Sequence, residues 1–589
     1  MQQTGQQTAY AIRRAQWCFA AVAIIFGVFL VRLFYVQVIR YDFYHKAALA
    51  DQLKEYAIPA TRGLIEAHSG DSIVPIVLNQ DLYTLFADPS LVKNAGQVAD
   101  ALAAELGGNA SDYQTELQTP NTRYVVLAKK LTTDQQKQIL SHKFPGIATQ
   151  KITYRTYPDG SLAAQLLGFV NDDGIGTYGV EQDLNTTLAG KQGLLKALTD
   201  INGVPLAANG SNVDIAPTPG KNVVLTVDMA MQQQLEAILA KGLQNAKSSS
   251  GSALILDANS GAIKAMANFP TYDPTNYAAV SDPSVFNNAA VSSPLEVGSI
   301  MKTLTTAAAL DQGVIQPNQT YNDPYVWTVD GYKITNIEED GVSGVKSIAD
   351  ILNLSLNTGA TWELMQMGQP GSTQITAKGR QAWYDYMTKH FRLGQPTGVE
   401  QGYEASGYIP NPNTGYGLDL TYANTAFGQG MTATPLQMAA AFAAVINGGT
   451  YYQPRLIDQE IAADGKVTTL QPKIVAQNVV SPRTSQEIIP MLQYVVQQHY
   501  LSPPFNQNQY TVGGKTGTAQ IAKPGGGYLE NDFNGTYLGF VGGDHPQYVI
   551  MVRVNDPKNG GYAGTAAAQP IFASLGHMLI DNFGVTPRN

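Results

Sequence analysis

The chain of 589 residues contains one cysteine, Cys18. No disulfide can form within it, and thiol catalysis has no candidate outside an apolar N-terminal segment. Charge is scarce too, at 14% of residues against about 25% in ordinary soluble domains. Polarity rests instead on Gln, Asn, Thr and Ser, a bias that points to an extracytoplasmic setting. There is no basic surplus: 37 Lys and Arg stand against 46 Asp and Glu, a net charge of -9. No surface of that balance draws phosphate backbones, which sets nucleic acid aside as a partner. The seven histidines show neither His-x-x-x-His nor a mixed ligand spacing, so no metal and no other cofactor is expected.

Long apolar runs are missing everywhere except near the N-terminus. There residues 15–31 are uncharged and mostly apolar, and beyond Arg32 the character resumes over 33–39. About 20 residues suffice to cross a bilayer, and an arginine near the end can snorkel to the interface. The segment predicts an uncleaved anchor at 15–39 behind a cytoplasmic tail of residues 1–14, since Arg13 and Arg14 precede it. Arg40 and Lys46 on the far side weigh against that orientation. The bulk of the chain is then expected outside the cytoplasm, held to the cell membrane by a single pass. A cleaved leader is the rival, with Ala48-Leu49-Ala50 as its site, but that site lies well past the apolar run.

At this length two or more folded units are expected. The chain over 40–215 mixes strand patterns such as 152–157 with amphipathic stretches such as 132–140. Ala216-Pro217-Thr218-Pro219-Gly220 then breaks it, since neither a helix nor a central strand tolerates such a run. Beyond the break, 222–227 alternates like a strand, 229–243 reads as a helix, and 252–256 with 262–267 as a hairpin. Residues 436–445 are helical. Three strand candidates close the chain, at 514–519, 537–541 and 548–554. Strands at both ends of a helical middle imply an α+β domain whose sheet is built from distant segments.

Three short strings carry the chemistry: Ser299-Ile300-Met301-Lys302, Ser355-Leu356-Asn357 and Lys515-Thr516-Gly517-Thr518. A serine three residues before a lysine arises about once or twice by chance in such a chain. Ser343-Gly344-Val345-Lys346 is such a decoy, set between glycines, whereas Ser299 opens a run with no Gly or Pro until Gly313. On a helix Ser299 and Lys302 project from one face, close enough for Lys302 to take the hydroxyl proton. A serine hydroxyl needs such a base. The base must be neutral, and burial beside a second cation, for which Lys515 is the candidate, would favour that form. The helix N-terminus after Gly298 adds partial positive charge near an oxyanion.

With their order and spacing, these strings resemble those of class B penicillin-binding proteins, membrane-anchored D,D-transpeptidases of bacterial cell-wall synthesis; such motifs are the handles by which that family is known. Arg62-Gly63-Leu64-Ile65, Arg155-Thr156-Tyr157-Pro158, Leu167-Gly168-Phe169-Val170 and Gly179-Val180-Glu181 are similar to motifs of the family's pedestal. Phe427-Gly428-Gln429-Gly430 and Thr434-Pro435-Leu436-Gln437 are similar to a recurring stretch of its catalytic domain. The likeness runs from about residue 15 to 572, with no motif over 82–150.

The resemblance implies an α+β multidomain protein. It would comprise a transmembrane helix, an elongated mixed α/β pedestal over 40–215 with an inserted subdomain at about 82–150, a link at 216–220, and a transpeptidase domain over 221–589 whose antiparallel sheet is flanked by helices. It further implies that Ser299 is the nucleophile, that Ser355 relays a proton between Lys302 or Lys515 and the leaving amine, and that Asn357 positions substrate or Lys302. Lys515 supplies charge, Gly298 and Gly517 leave room for the substrate, and the hydroxyls of Thr516 and Thr518 bind the terminal carboxylate of a D-Ala-D-Ala stem peptide. The backbone N–H groups of Ser299 and Thr518 form the oxyanion hole. Stem peptides and β-lactams are the expected ligands, and a polytopic glycan polymerase with other division or elongation proteins the expected partners.

Departures from the family pattern cluster before the nucleophile. Glu296-Val297-Gly298 replaces Glu-Pro-Gly, Leu295 stands where an aromatic is usual, and Asn288-Ala289-Ala290 replaces Asn-Arg-Ala. They leave the proton-handling groups intact and bear on the rigidity of the loop and on β-lactam affinity. Leu356 takes the place of a second serine. A β-lactamase would need a water-activating base, and Glu363, the nearest carboxylate after the second string, lacks the surroundings of one. A D,D-carboxypeptidase differs only in the acceptor, and an inactive scaffold would keep pedestal and anchor. Asn357 favours the division-type branch over the elongation branch, which often carries Asp there.

Overall fold

A computed structural model describes residues 3–44, 53–198, 213–336, 343–499, 501–523 and 525–588. The Ala48-Leu49-Ala50 site lies outside the described residues. The chain divides into two compact units, residues 1–61 with 190–219, and residues 62–189 with 220–589.

In the first unit the apolar run forms the helix Gln3–Phe34, continued by a wider turn at Tyr35–Ile39. Within it Ile12–Ile39 has a mean hydropathy of 2.4, long and apolar enough to cross a membrane, and its apolar window is wholly unburied. Arg32 and Arg40 both lie over the Tyr35 ring, 5.5 and 5.9 Å from its centroid. The same unit holds a three-stranded antiparallel sheet of Leu53–Ile58, Gly193–Leu198 and Val213–Ile215.

In the second unit a seven-stranded mixed sheet contains strands from both sides of the Pro-rich stretch. Asn222–Asp228, which follows it, pairs in parallel with Ile65–Ser69 and antiparallel with Ile457–Ile461. One sheet thus runs across positions 216–220. The insert at 82–150 has a small core of its own, with Leu85, Val98, Leu102, Leu117 and Ile139 buried together. Its amphipathic stretch is the helix Thr133–Ser141, started by a capping box between Thr132 and Gln135.

The motifs scattered over 62–185 meet on one carboxylate. Glu181 is fully buried and takes the Arg155 Nε at 2.8 Å and the Arg62 Nε at 2.8 Å. Arg62 also reaches Asn185 at 2.9 Å, and Arg155 reaches Asn79 at 2.8 Å. Two guanidiniums on one buried carboxylate are tolerable only while all three remain paired.

A second sheet of this unit has five strands: β1 Ser250–Asp257, β2 Ile263–Phe269, β3 Thr511–Ala522, β4 Tyr528–Gly542 and β5 Pro546–Asn555. Their order is β2-β1-β5-β4-β3, all antiparallel, so β3 is an edge. Side chains alternate between two cores. Ile255, Tyr537, Ile550 and Val552 face one, while Leu254, Leu538, Val549 and Met551 face the other. Apolar residues on both faces require cover on both, which gives three layers.

Three helices lie deep in the larger core: α1 Met301–Asp311, α2 Asn357–Gly368 and α3 Pro435–Ile446. Nearly every residue of each is buried, as expected of helices that show no polar face. Their polar side chains bond internally: Thr303 to the Ile300 carbonyl at 2.7 Å, Thr305 to the Ala426 carbonyl at 2.9 Å. Thr434 and Gln437 cap α3 reciprocally, with Pro435 in its first turn.

Glu181→Ala is expected to cost about 3–5 kcal/mol, because it leaves two buried guanidiniums unpaired. Denaturant unfolding followed by tryptophan fluorescence measures this, and a loss below about 1 kcal/mol would contradict the buried-cluster account.

Candidate active site

The nucleophile candidate sits where a tight turn becomes a helix. Gly298–Ile300 forms a 3-10 turn that runs directly into α1. Gly298 has φ +64, and a Cβ there would stand 2.7 Å from the Thr518 carbonyl oxygen and 3.0 Å from the Thr518 amide nitrogen. Gly298 also donates its N–H to the Gly428 carbonyl at 3.0 Å. This glycine is therefore required by backbone packing against β3 and the Phe427-Gly428-Gln429-Gly430 turn; the room it leaves is filled by Thr518. The decoy follows none of this. Gly344–Ser347 is a short strand paired with Thr320–Asp323, and Val345 is exposed.

The loop before Ser299 has Val297 where the family pattern has proline, and it is tied down on every side. Leu295 and Ala433 exchange both backbone hydrogen bonds at 3.0 Å. Thr536 on β4 donates to the Val297 carbonyl at 3.0 Å, and Arg553 on β5 to the Ser293 carbonyl at 2.6 Å. Glu296 accepts from the Gly430 N–H and from the Tyr528 hydroxyl, both at 3.0 Å. Burial pushes the Glu296 carboxyl up from its ordinary range, against those two hydrogen bonds. Hydrogen bonds replace the restraint a proline ring would supply.

Lys302 is fully buried on α1 and gathers the first two strings around one nitrogen. Its Nζ lies 2.9 Å from Ser299 Oγ, 2.6 Å from the Ser355 carbonyl, 3.2 Å from Ser355 Oγ and 2.8 Å from Asn357 Oδ1. These four oxygens are of two kinds. The Ser355 carbonyl and Asn357 Oδ1 can only accept, and Asn357 is held that way round because its Nδ2 donates to the Thr335 carbonyl at 3.0 Å. The two serine hydroxyls can also donate. A neutral amine can thus give two N–H bonds to the fixed acceptors and turn its lone pair to a hydroxyl, whereas an ammonium gives its third proton to the same hydroxyl. The site holds either protonation state without moving an atom, as a base that must later return its proton requires. The Phe427 ring lies 5.9 Å from Nζ.

Ser355 reaches this position in a strained backbone, with φ +54 between two helices. The hairpin of Val326–Val329 and Tyr332–Thr335 braces the same corner. Trp327 donates to the Thr358 carbonyl at 3.1 Å, and Thr358 donates to the buried Asp323 at 2.6 Å.

The third string lies on edge strand β3. Lys515 is 1% exposed, and its Nζ donates to the Thr516 carbonyl at 3.2 Å. Thr516 Oγ1 lies 3.4 Å from the same nitrogen, and Thr518 Oγ1 accepts from the Gly564 N–H at 3.0 Å. Gly517 faces inward: a Cβ there would meet Thr536 Oγ1 at 2.2 Å and the Val297 carbonyl at 2.7 Å. Its missing side chain lets β3 close onto the nucleophile turn, which is a different reason from making room for an extended substrate. Ser299, Lys302, Ser355 and Asn357 are thus in direct contact, and Thr518 abuts Gly298. The bracing by Tyr528 and Thr335 is invisible to spacing, because each comes from a segment with no chemical signature of its own, whereas Phe427 belongs to a stretch the sequence already singles out.

Residues 251–576 match the family model described as penicillin binding protein transpeptidase domain, and residues 57–225 that of the penicillin-binding protein dimerisation domain. Stage V sporulation protein D of Bacillus subtilis is 30% identical over 572 residues, covering 96% of this chain and 85% of that protein. The peptidoglycan D,D-transpeptidase FtsI of Escherichia coli is 26% identical, covering 97% and 92%. Penicillin binding protein 3 of Mycobacterium tuberculosis complexed with aztreonam superposes with a TM-score of 0.65 at 25% identity, covering 90% and 98%.

Gly517→Ala should push β3 away from the nucleophile turn and slow acylation by a β-lactam about 100-fold, the scale of an ångström misplacement. Stopped-flow acylation rates test it; an unchanged rate would refute the packing role.

Proposed function

The chain belongs to the class B penicillin-binding proteins, and from that premise we propose that it is a septal peptidoglycan D,D-transpeptidase working through an acyl-enzyme on Ser299. The observation that carries this reading is the buried Lys302 amine 2.9 Å from Ser299 Oγ, with Ser355 and Asn357 on its other sides. Division-type wall synthesis is supported by relatives such as FtsI, and the membrane setting by the apolar helix.

The chemistry follows from the contacts. Lys302 takes the Ser299 proton as Oγ attacks the penultimate D-Ala carbonyl of a donor stem peptide. The negative charge that develops on that oxygen is received by the backbone N–H groups of Ser299 and Thr518. When the C–N bond breaks, the proton passes from Lys302 through the Ser355 hydroxyl to the leaving D-Ala amine. An amine of a neighbouring stem then attacks the ester, gives its proton to Lys302 by the same relay, and the cross-link leaves as Ser299 regains hydrogen. Lys515 tunes Lys302 and, with the hydroxyls of Thr516 and Thr518, receives the donor's terminal carboxylate. Gly298 and Gly517 keep strand and turn close enough for the two N–H groups to converge.

The division of labour gives 15–39 to the membrane with residues 1–14 in the cytoplasm, 40–215 to the pedestal with its insert at 82–150, and 221–589 to the chemistry. A polytopic glycan polymerase and other division proteins are the partners this arrangement calls for, because the acyl transfer makes no glycan.

Mass spectrometry of the detergent-solubilised chain after penicillin exposure is expected to find one adduct, on Ser299, absent from Ser299→Ala. An adduct elsewhere, or none, overturns the assignment. A chromogenic β-lactam should be turned over slowly, since among the described residues no carboxylate stands beside Ser299 to activate water as a dedicated base; rapid steady-state hydrolysis would make the protein a β-lactamase instead.

A further inference from the structure

Glu363 lies six residues beyond Asn357 on α2 and is fully buried. Both its carboxyl oxygens lie within hydrogen-bond distance of the Thr306 hydroxyl, at 2.9 and 3.1 Å. Thr306 is one helical turn past Lys302 on α1, so the carboxyl is held against the helix that carries the base. Shut away from solvent and turned to Thr306, it has no access to an ester on Ser299 and cannot activate water there. We propose that Glu363 is a positioning residue for acyl transfer, a buried carboxyl that competes with Lys302 for one proton and thereby sets the pH range in which the amine can accept the Ser299 proton. The inference rests on the reading of Lys302 as the base.

Burial pushes the Glu363 carboxyl up to about 8, against the Thr306 hydrogen bond and the charge of Lys302, both of which pull it down. Tyr321 faces it from the other side: its ring stacks on Trp362 at 4.6 Å, and its hydroxyl donates to Asp323 at 2.7 Å. Burial, then that hydrogen bond, hold the Tyr321 phenol far above its ordinary range, so it stays neutral throughout. Among the described charged groups on the other helices packed against α2, Arg380 pairs with Asp419, Asp385 with Lys389, and Asp350 with the Ser347 N–H, while Lys378 is exposed to solvent. Lys302 is therefore the cation that acts on Glu363.

Two such groups titrate as a pair. With one proton between them, the pair is either ammonium and carboxylate or amine and carboxylic acid. Only the second leaves a lone pair for Ser299. The carboxylate form delays the free amine to higher pH, and removing it should advance the amine to lower pH.

Glu363→Gln keeps the size of the side chain and can still bond Thr306. In the full-length protein, acylation by a fluorescent penicillin would be followed from acid to alkaline pH. The wild type should rise over a broad range. Glu363→Gln should rise in one sharper step, its half-maximal pH lower by about half a unit or more. Thr306→Val removes a bond that favours the carboxylate and should shift the profile the same way by less. Superimposable profiles for wild type and Glu363→Gln overturn the proposal. If Glu363→Gln does not fold, Thr306→Val decides alone, since a packing role would lower its melting temperature but leave its pH profile in place. A wild type without an adduct on Ser299 at any pH would sink the underlying acyl-enzyme reading, a failure visible before any variant is compared.

Discussion

A lysine nitrogen in the interior of a protein has to find oxygen atoms, and in this chain the search organises the catalytic domain. Lys302 reaches the Ser355 carbonyl and Asn357 Oδ1, which only accept, and two hydroxyls, which do both. That set can be assembled only if α2 begins beside the first turn of α1, which explains why Ser355 adopts a left-handed backbone between two helices. It also explains why the hairpin Val326–Val329 and Tyr332–Thr335 is pinned to the corner: the Thr335 carbonyl fixes which end of the Asn357 amide faces the amine. An amide keeps the contact free of net charge, whereas a carboxylate at that position would hold the lysine as an ammonium.

The buried helices serve the same end. α1, α2 and α3 are buried all round, and the five-stranded sheet is covered on both faces, so the nucleophile turn is wedged against packed elements rather than carried on an exposed loop. Glycines at 298, 428 and 517 are what let the turn, the Phe427 segment and edge strand β3 approach to backbone contact. A methyl group at any of them would occupy space already filled by a carbonyl or hydroxyl. This closeness brings the Thr518 backbone against Gly298, the residue before Ser299.

The pedestal segments solve a different problem with the same economy. Arg62, Arg155 and Glu181 lie up to 119 residues apart in the chain yet close one buried ion cluster. A further strand, Asn222–Asp228, carries the sheet of that region into the catalytic half. Hydrogen bonding across the Pro-rich stretch links the two regions, a feature that a composition break at 216–220 conceals, because proline content reports on local backbone and not on the pairing of the strand that follows.

Much of this was legible in the residues themselves. Period, caps and breakers located α3, the hairpin of β1 and β2 and the three closing strands, and the setting of Ser299 separated it from the decoy at Ser343. One face of a helix was enough to pair Ser299 with Lys302, since i and i+3 meet whatever surrounds them. The remaining relations join segments hundreds of residues apart. The reason for glycine at 298 and 517 lay in backbones approaching from elsewhere. The stiffness of the loop before Ser299 comes from Ala433, Tyr528, Thr536 and Arg553, in place of a proline at position 297. The standing of Glu363 depended on Thr306 and Lys302 being its neighbours in space. Sequence determined which side chains are available for the proposed chemistry, because reactivity belongs to the side chain. Tertiary structure decided their burial and reach, because packing and distance belong to the fold.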